Sequence, residues 1–156
     1  MKNFFCVLLF VLLVTYNSYS QNWNNIKILK SSCNDVESIL GGTPCDTNFI
    51  SYTLPNEYIS FVFASNTEDK KCPEFNYDVS PGTVTQISVI VRYPKKLFVS
   101  DLGFDISKFN RNIVPDHLNT YEYISQELGI KFIASNKNQV FNIKYSPEKK
   151  YQNTCK

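Results

Sequence analysis

An unbroken apolar run from Phe4 to Val14 opens the chain, and no comparable run follows it. Downstream, the hydrophobic positions fall into two periods. Between Cys33 and Leu40, the residues Val36, Ile39 and Leu40 recur at spacings of three and four, which predicts a short helix with one apolar stripe. Ser32 ahead of it and Asp35 three residues on form a capping box, with an acid at the positive helix end. Gly41-Gly42 and then Pro44 stop it. From Phe49 onward the period is two, the mark of strands with one buried face. The runs are Phe49 to Leu54, Tyr58 to Ala64, Thr83 to Tyr93, Thr120 to Gln126, Ile130 to Ser135 and Gln139 to Tyr145. Ile26 to Leu29 reads as a short extended lead-in, and Asp105 to Asn110 as one weak helical turn. Residues 65–82 form the longest loop. These elements predict an α+β domain over residues 21–156, an antiparallel sheet of about six strands with the single N-terminal helix packed on it.

The opening run belongs to something else. Lys2 and Asn3 precede it and the small-residue site Ser18-Tyr19-Ser20 follows, the layout of a secretory signal peptide over residues 1–20, cut before Gln21. Its 11 apolar residues fall short of the roughly 20 that span a bilayer core. Cys6 lies before most of the run, so it is not placed as a lipid-attachment site. The expectation is a protein exported to the periplasm or the medium and free after cleavage, with no transmembrane segment in its mature form. Many asparagines occur without one Asn-x-Ser/Thr acceptor, which fits a bacterial product better than a glycosylated ectodomain.

Export changes the reading of the cysteines. Cys33, Cys45, Cys72 and Cys155 remain after cleavage, an even set without a C-x-x-C pair, which in an oxidising compartment predicts two disulfides. Three pairings are possible. Cys33–Cys45 with Cys72–Cys155 is favoured, the first bracketing the helix and the second tying the basic tail to the long loop.

Charge narrows the partners. Of 16 Lys+Arg and 14 Asp+Glu only Lys2 lies in the first twenty residues, so the mature chain carries 15 against 14 and is not drawn to nucleic acid or to membrane by net charge. The doublets Lys70-Lys71, Lys95-Lys96 and Lys149-Lys150 sit in predicted loops and read as solvated.

No reactive constellation emerges. His117 is the one histidine, no G-x-S-x-G elbow marks a nucleophile, and one histidine beside disulfide-committed cysteines does not make a zinc or iron site. Neither a cofactor nor a metal is expected. The acid sets Asp35/Glu37, Asp101/Asp105 and Glu122/Glu127 could serve glycoside cleavage, but Asp35 is already a cap and the others lie in solvated stretches. Tyrosines are abundant, ten in all, and several stand on strands beside polar residues. A sheet with one reliable helix leaves part of a face uncovered. Tyr58, Ser60, Gln86, Arg92, Tyr121 and Tyr123 are the residues expected on that face.

Leu29 to Pro44, read as Leu-x-Ser-Ser-x-x-Asp-Val-x-x-Ile-Leu-Gly-x-x-Pro, together with Tyr58 to Ala64 and Pro81 to Val91, resembles a set of small uncharacterised exported bacterial proteins. Their Gly-x-Cys loop and near-terminal cysteine correspond to Cys72 and Cys155. The order of helix, Leu-Gly-x-Pro and hairpin over residues 29–64 is also similar to the units of BamE/SmpA-type lipoproteins and the beta-lactamase inhibitor protein. Gly42 and Thr43 are inserted before Pro44, Cys33 and Cys45 are extra, and the lipid-attachment cysteine is missing. The resemblance implies a layered α+β domain whose sheet presents a face to other proteins. The functional expectation is therefore a monomeric, non-enzymatic binding module of the bacterial envelope or secretome, its partner a protein or an envelope polymer. The alternative is a small secreted hydrolase or an enzyme inhibitor working through His117 or an acid pair in residues 101–119.

Overall fold

A computed structural model of the chain describes residues 22–42, 47–65, 79–115 and 117–151. The signal-like segment, Cys45, Cys72, Cys155, Lys70-Lys71 and Asp116 lie outside the described residues.

The first described element is a two-residue ribbon, β1 (Asn22–Trp23) with β2 (Ile26–Lys27). Asn24 and Asn25 join them with φ of 47° and 70°. Two consecutive positive φ values are what the tight primed hairpin turn demands, and asparagine tolerates them better than most residues. Helix α1 (Cys33–Leu40) follows within the predicted bounds. The Ser32 hydroxyl accepts from the Asp35 amide at 3.2 Å, and Asp35 accepts from the Ser32 amide at 2.7 Å. Those bonds from Ser32, backbone first, hold the Asp35 carboxyl below its usual range, so the cap is lost as acid protonates it. Gly41, at φ +87°, closes the helix in a conformation that side chains rarely adopt. Cys33 and Val36 are buried; Leu40 is half-buried and Ile39, placed on the apolar stripe from sequence, is 44% exposed.

The main sheet is built from β3 (Phe49–Thr53), β4 (Glu57–Phe63), β5 (Val84–Val91), β6 (Leu97–Phe98), β7 (Asn110–Ile113), β8 (Thr120–Ser125), β9 (Ile130–Ser135) and β10 (Gln139–Tyr145). Its order is β3-β4-β5-β10-β9-β8-β7, antiparallel throughout, with β6 pairing β10 beyond the end of β5. Two meanders therefore meet along one seam, where β10 lies beside β5 with Ile143 opposite Val89 and Tyr145 opposite Ile87.

The architecture overturns the α+β assignment. Eight strands in one sheet and two in a ribbon stand against one eight-residue α-helix, so the described fold is predominantly antiparallel β. Ile26–Lys27 falls within the extended lead-in, but its pairing and two other features were missed for one reason. β7 reads Asn-Arg-Asn-Ile and is exposed along its whole length, β6 is two residues long, and the ribbon depends on an Asn-Asn turn; none carries an alternating apolar face. The weak helical turn is a 3₁₀ turn at Ile106–Lys108, preceded by another at Val99–Leu102. The expected disulfides also stand differently. Cys33 is the one described cysteine and is half of a disulfide whose partner lies outside the described residues, so neither favoured pairing is seen.

Register places the core on one face. Ile50, Phe61, Ile87, Tyr145 and Ile130 form one row across the sheet, and Tyr52, Ile59, Val89, Ile143, Phe132 and Tyr123 the next. Over β3–β5 that face is covered by α1 and the ribbon, which supply Val36, Cys33, Ile26 and Trp23. Over β8–β10 it is covered by the 97–109 segment, through Leu97, Val99, Leu102, Phe104 and Phe109. Tyr145 packs against both clusters. Burial, and then the neighbouring Glu57 charge, raise its phenol above the ordinary tyrosine range.

That shift has a sign. The unfolded phenol ionises from about pH 10 while the folded one stays neutral, so its contribution is complete below that pH and is lost as pH rises toward the folded value. Denaturant melts through the alkaline range should show the wild-type protein losing stability more steeply than Tyr145→Phe. Identical slopes would place the phenol in water.

Candidate functional site

The opposite face of the same sheet has no described cover. One row runs Thr53, Tyr58, Ile90, Asn142, Ile133, Glu122 and Asn112, and its neighbour runs Ser51, Ser60, Ser88, Lys144, Lys131, Ile124 and Asn110. Phe49, Val62 and Gln86 make a third, shorter row. Every residue of these rows is half-buried or exposed, whereas the sheet residues of both core clusters lie on the other side. The surface is mixed. Ile90 and Phe141 are each 40% exposed, Phe49 is 52% exposed, and serine, asparagine and glutamine fill the gaps between them. Glu122 and Lys131 neutralise each other in an ion pair between β8 and β9. The Arg92 guanidinium lies 5.6 Å from the centre of the Tyr58 ring, a cation–π contact that holds both at the edge of the face.

Of the residues expected there, Tyr58, Ser60, Gln86 and Arg92 come together. Tyr121 and Tyr123 do not join them. Their partners across β9 are Ala134 and Phe132, which lie in the core row, so both rings turn to the covered side. Tyr123 is 7% exposed and stacks on Phe132 at 4.6 Å with 9° between the planes. Arg111 covers Tyr121 from β7 at 3.6 Å. Glu122 and Ile124, the residues between, face the open side instead. Sequence reasoning also passed over Ile133, Asn142, Lys144 and Phe141; the alternation of Ile130-Lys131-Phe132-Ile133 offered a signal, since Phe132 inward sets Ile133 outward.

The residues weighed for chemistry are occupied elsewhere or stand apart. Asp101 accepts from the Phe98 amide at 2.8 Å, and Asp105 accepts from the Ser107 hydroxyl at 2.7 Å and its amide at 3.1 Å. The Ser107 bonds, hydroxyl first, keep the Asp105 carboxyl below its usual range, as expected of an ionised cap and unlike a general acid. Glu57 accepts from the Trp23 indole at 3.3 Å and pairs with Lys95. His117 is exposed on the β7–β8 loop. Among the described residues no group of three His, Cys, Asp or Glu side chains gathers as a metal site, and no helix is long and apolar enough to cross a membrane.

The chain matches no protein-family model and no curated protein. Among solved structures it is similar to a DUF4309 family protein (YjgB) from Bacillus subtilis, at 13% identity and a TM-score of 0.46, over 83% of this chain and 90% of that one. At that identity and score no residue role passes from one chain to the other.

Proposed function

We propose that this protein is an exported, non-enzymatic and monomeric binding module that presents the uncovered face of its main sheet to a protein or polymer of the bacterial envelope. The observation that carries the reading is the mixed face built around Tyr58, Ile90, Asn142 and Ile133, which runs across the sheet from β4 to β9 with no described element over it. Apolar side chains spaced among hydrogen-bonding ones suit recognition: the first supply desolvation, the second orientation. Support for export comes from the signal-like order of residues 1–20.

A capture experiment tests it. Ile90→Glu with Ile133→Glu puts two carboxylates in the centre of the face without touching the core side. Immobilised wild-type protein should retain a component of a detergent-solubilised envelope fraction that this double variant loses, while His117→Ala retains it. Equal retention by the double variant, or loss on His117→Ala alone, would contradict the reading. The same preparation, made by secretion, should begin at Gln21 by mass spectrometry.

A further inference from the structure

Antiparallel pairing sends the β5–β6, β7–β8 and β9–β10 connections out of the same end of the sheet. Backbone bonds hold the β9–β10 connection to its neighbours: the Asn136 amide donates to the Asn119 carbonyl of the β7–β8 connection at 2.7 Å, and the Val99 amide, just past β6, donates to the Asn138 carbonyl at 2.9 Å. The three most exposed large apolar side chains among the described residues all sit at this end: Leu118 at 95%, Tyr93 at 89% and Ile113 at 75%. Phe98, Phe141 and Ile90, each 40% exposed, lie behind them. Around these tips stand the exposed cations Lys96 and Lys137, together with Lys95, which is paired with Glu57, and Arg92, which lies over the Tyr58 ring. Of the acids nearby, Glu57 is met by Lys95 and Asp101 accepts from the Phe98 amide; Asp116, in the β7–β8 connection, lies outside the described residues.

From this juxtaposition we propose that the loop end of the sheet docks on an anionic lipid surface, Leu118, Ile113 and Tyr93 entering the headgroup region and the lysines facing lipid phosphates. Separate apolar tips on hydrogen-bonded loops suit a fluid interface, which closes around each of them. A protein interface instead packs its core to interior density, which tips on separate loops do not offer. Tyrosine is favoured at the membrane boundary because its ring is apolar and its hydroxyl is not. The cations match the negative headgroups, and few apolar groups enter, so the attachment is reversible. This surface adjoins the open face at Ile90, Phe141 and Arg92, but its tips Leu118, Ile113 and Tyr93 belong to none of the rows of that face.

Sedimentation with vesicles separates the outcomes. The protein should bind vesicles of equal parts phosphatidylglycerol and phosphatidylcholine, release at high salt, and ignore pure phosphatidylcholine. Tyr93→Ser with Leu118→Ser, and separately Lys96→Glu with Lys137→Glu, should each weaken binding at least about ten-fold. All four positions are exposed, so unchanged melting curves will show that the variants fold. Equal binding to neutral vesicles, variants that bind like wild type, or no binding to the anionic vesicles would each overturn the proposal. So would variants that lose a protein partner or a self-dimer while the wild type leaves the vesicles untouched.

Discussion

Replacing Phe132 with alanine should lower stability by about 3–5 kcal/mol, a large part of the roughly 5–15 kcal/mol that a domain ordinarily has. The residue is 1% exposed and is the centre of an aromatic group. Tyr123 stacks on it at 4.6 Å, Phe109 meets it edge-on at 5.3 Å, and Phe104 lies at 6.5 Å. Phe104 and Phe109 belong to the 97–109 segment, whose two 3₁₀ turns make few backbone bonds of their own. That segment is held on the sheet by aromatic burial, so truncating Phe132 both opens a cavity and loosens its cover. Urea melts should show the midpoint fall by about 2 M, for a slope near 2 kcal/mol per molar. A change below about 1 kcal/mol would mean that the 97–109 segment is held by something else.

Phe61→Ala should cost a similar amount, about 3–5 kcal/mol, for the other half of the sheet. Phe61 is fully buried, with Trp23 of the ribbon 6.1 Å away and Tyr52 of β3 6.2 Å away, both edge-on. Here the cover is α1 and the ribbon. An isolated helix of eight residues does not hold in water, so α1 depends on this contact surface and should melt with it. Circular dichroism and near-ultraviolet spectra of Phe61→Ala are expected to lose helix and tryptophan signal in one transition. Phe61 on β4 and Phe132 on β9 are three strand positions apart, roughly 14 Å at the usual spacing. The double variant should therefore be additive within about 0.5 kcal/mol. A larger coupling would point to Tyr145, the ring that touches both clusters.

Much of this arrangement is legible in the chain, and the parts that are not share a cause. The helix Cys33–Leu40 and the strands Ile130–Ser135 and Gln139–Tyr145 have the bounds their periodicity predicts, because each buries one face and ends at a residue that stops it. β7 was invisible because none of its side chains is buried, so nothing in Asn-Arg-Asn-Ile alternates. Counting it and the short strands turns an expected α+β layer into a mainly β fold. The placement of β10 between β5 and β9 was hidden for another reason: periodicity tells which residues face inward, not which strand lies beside which. Tyr121 and Tyr123 were misplaced for a related reason. A tyrosine beside a glutamate looks exposed in sequence, yet Arg111 and Phe132 give those rings partners on the covered side.

The capping acids show the same economy. Asp35, Asp101 and Asp105 were weighed as catalytic carboxylates, and each accepts a backbone amide at the start of a helical turn. For Asp35 and Asp105 these bonds favour the anion, which makes each a poor proton donor near neutral pH.

The proposal stands on one face of the sheet being covered and the other open among the described residues. Hydroxyl-radical footprinting of the protein in solution measures that directly. Tyr58, Ile90, Ile133 and Phe141 should be oxidised readily, Phe61, Ile59 and Phe132 should stay silent, and adding the retained envelope component should protect the first group alone. If Tyr58, Ile90 and Ile133 are as unreactive in the free protein as Phe61, the face is already covered and the account fails.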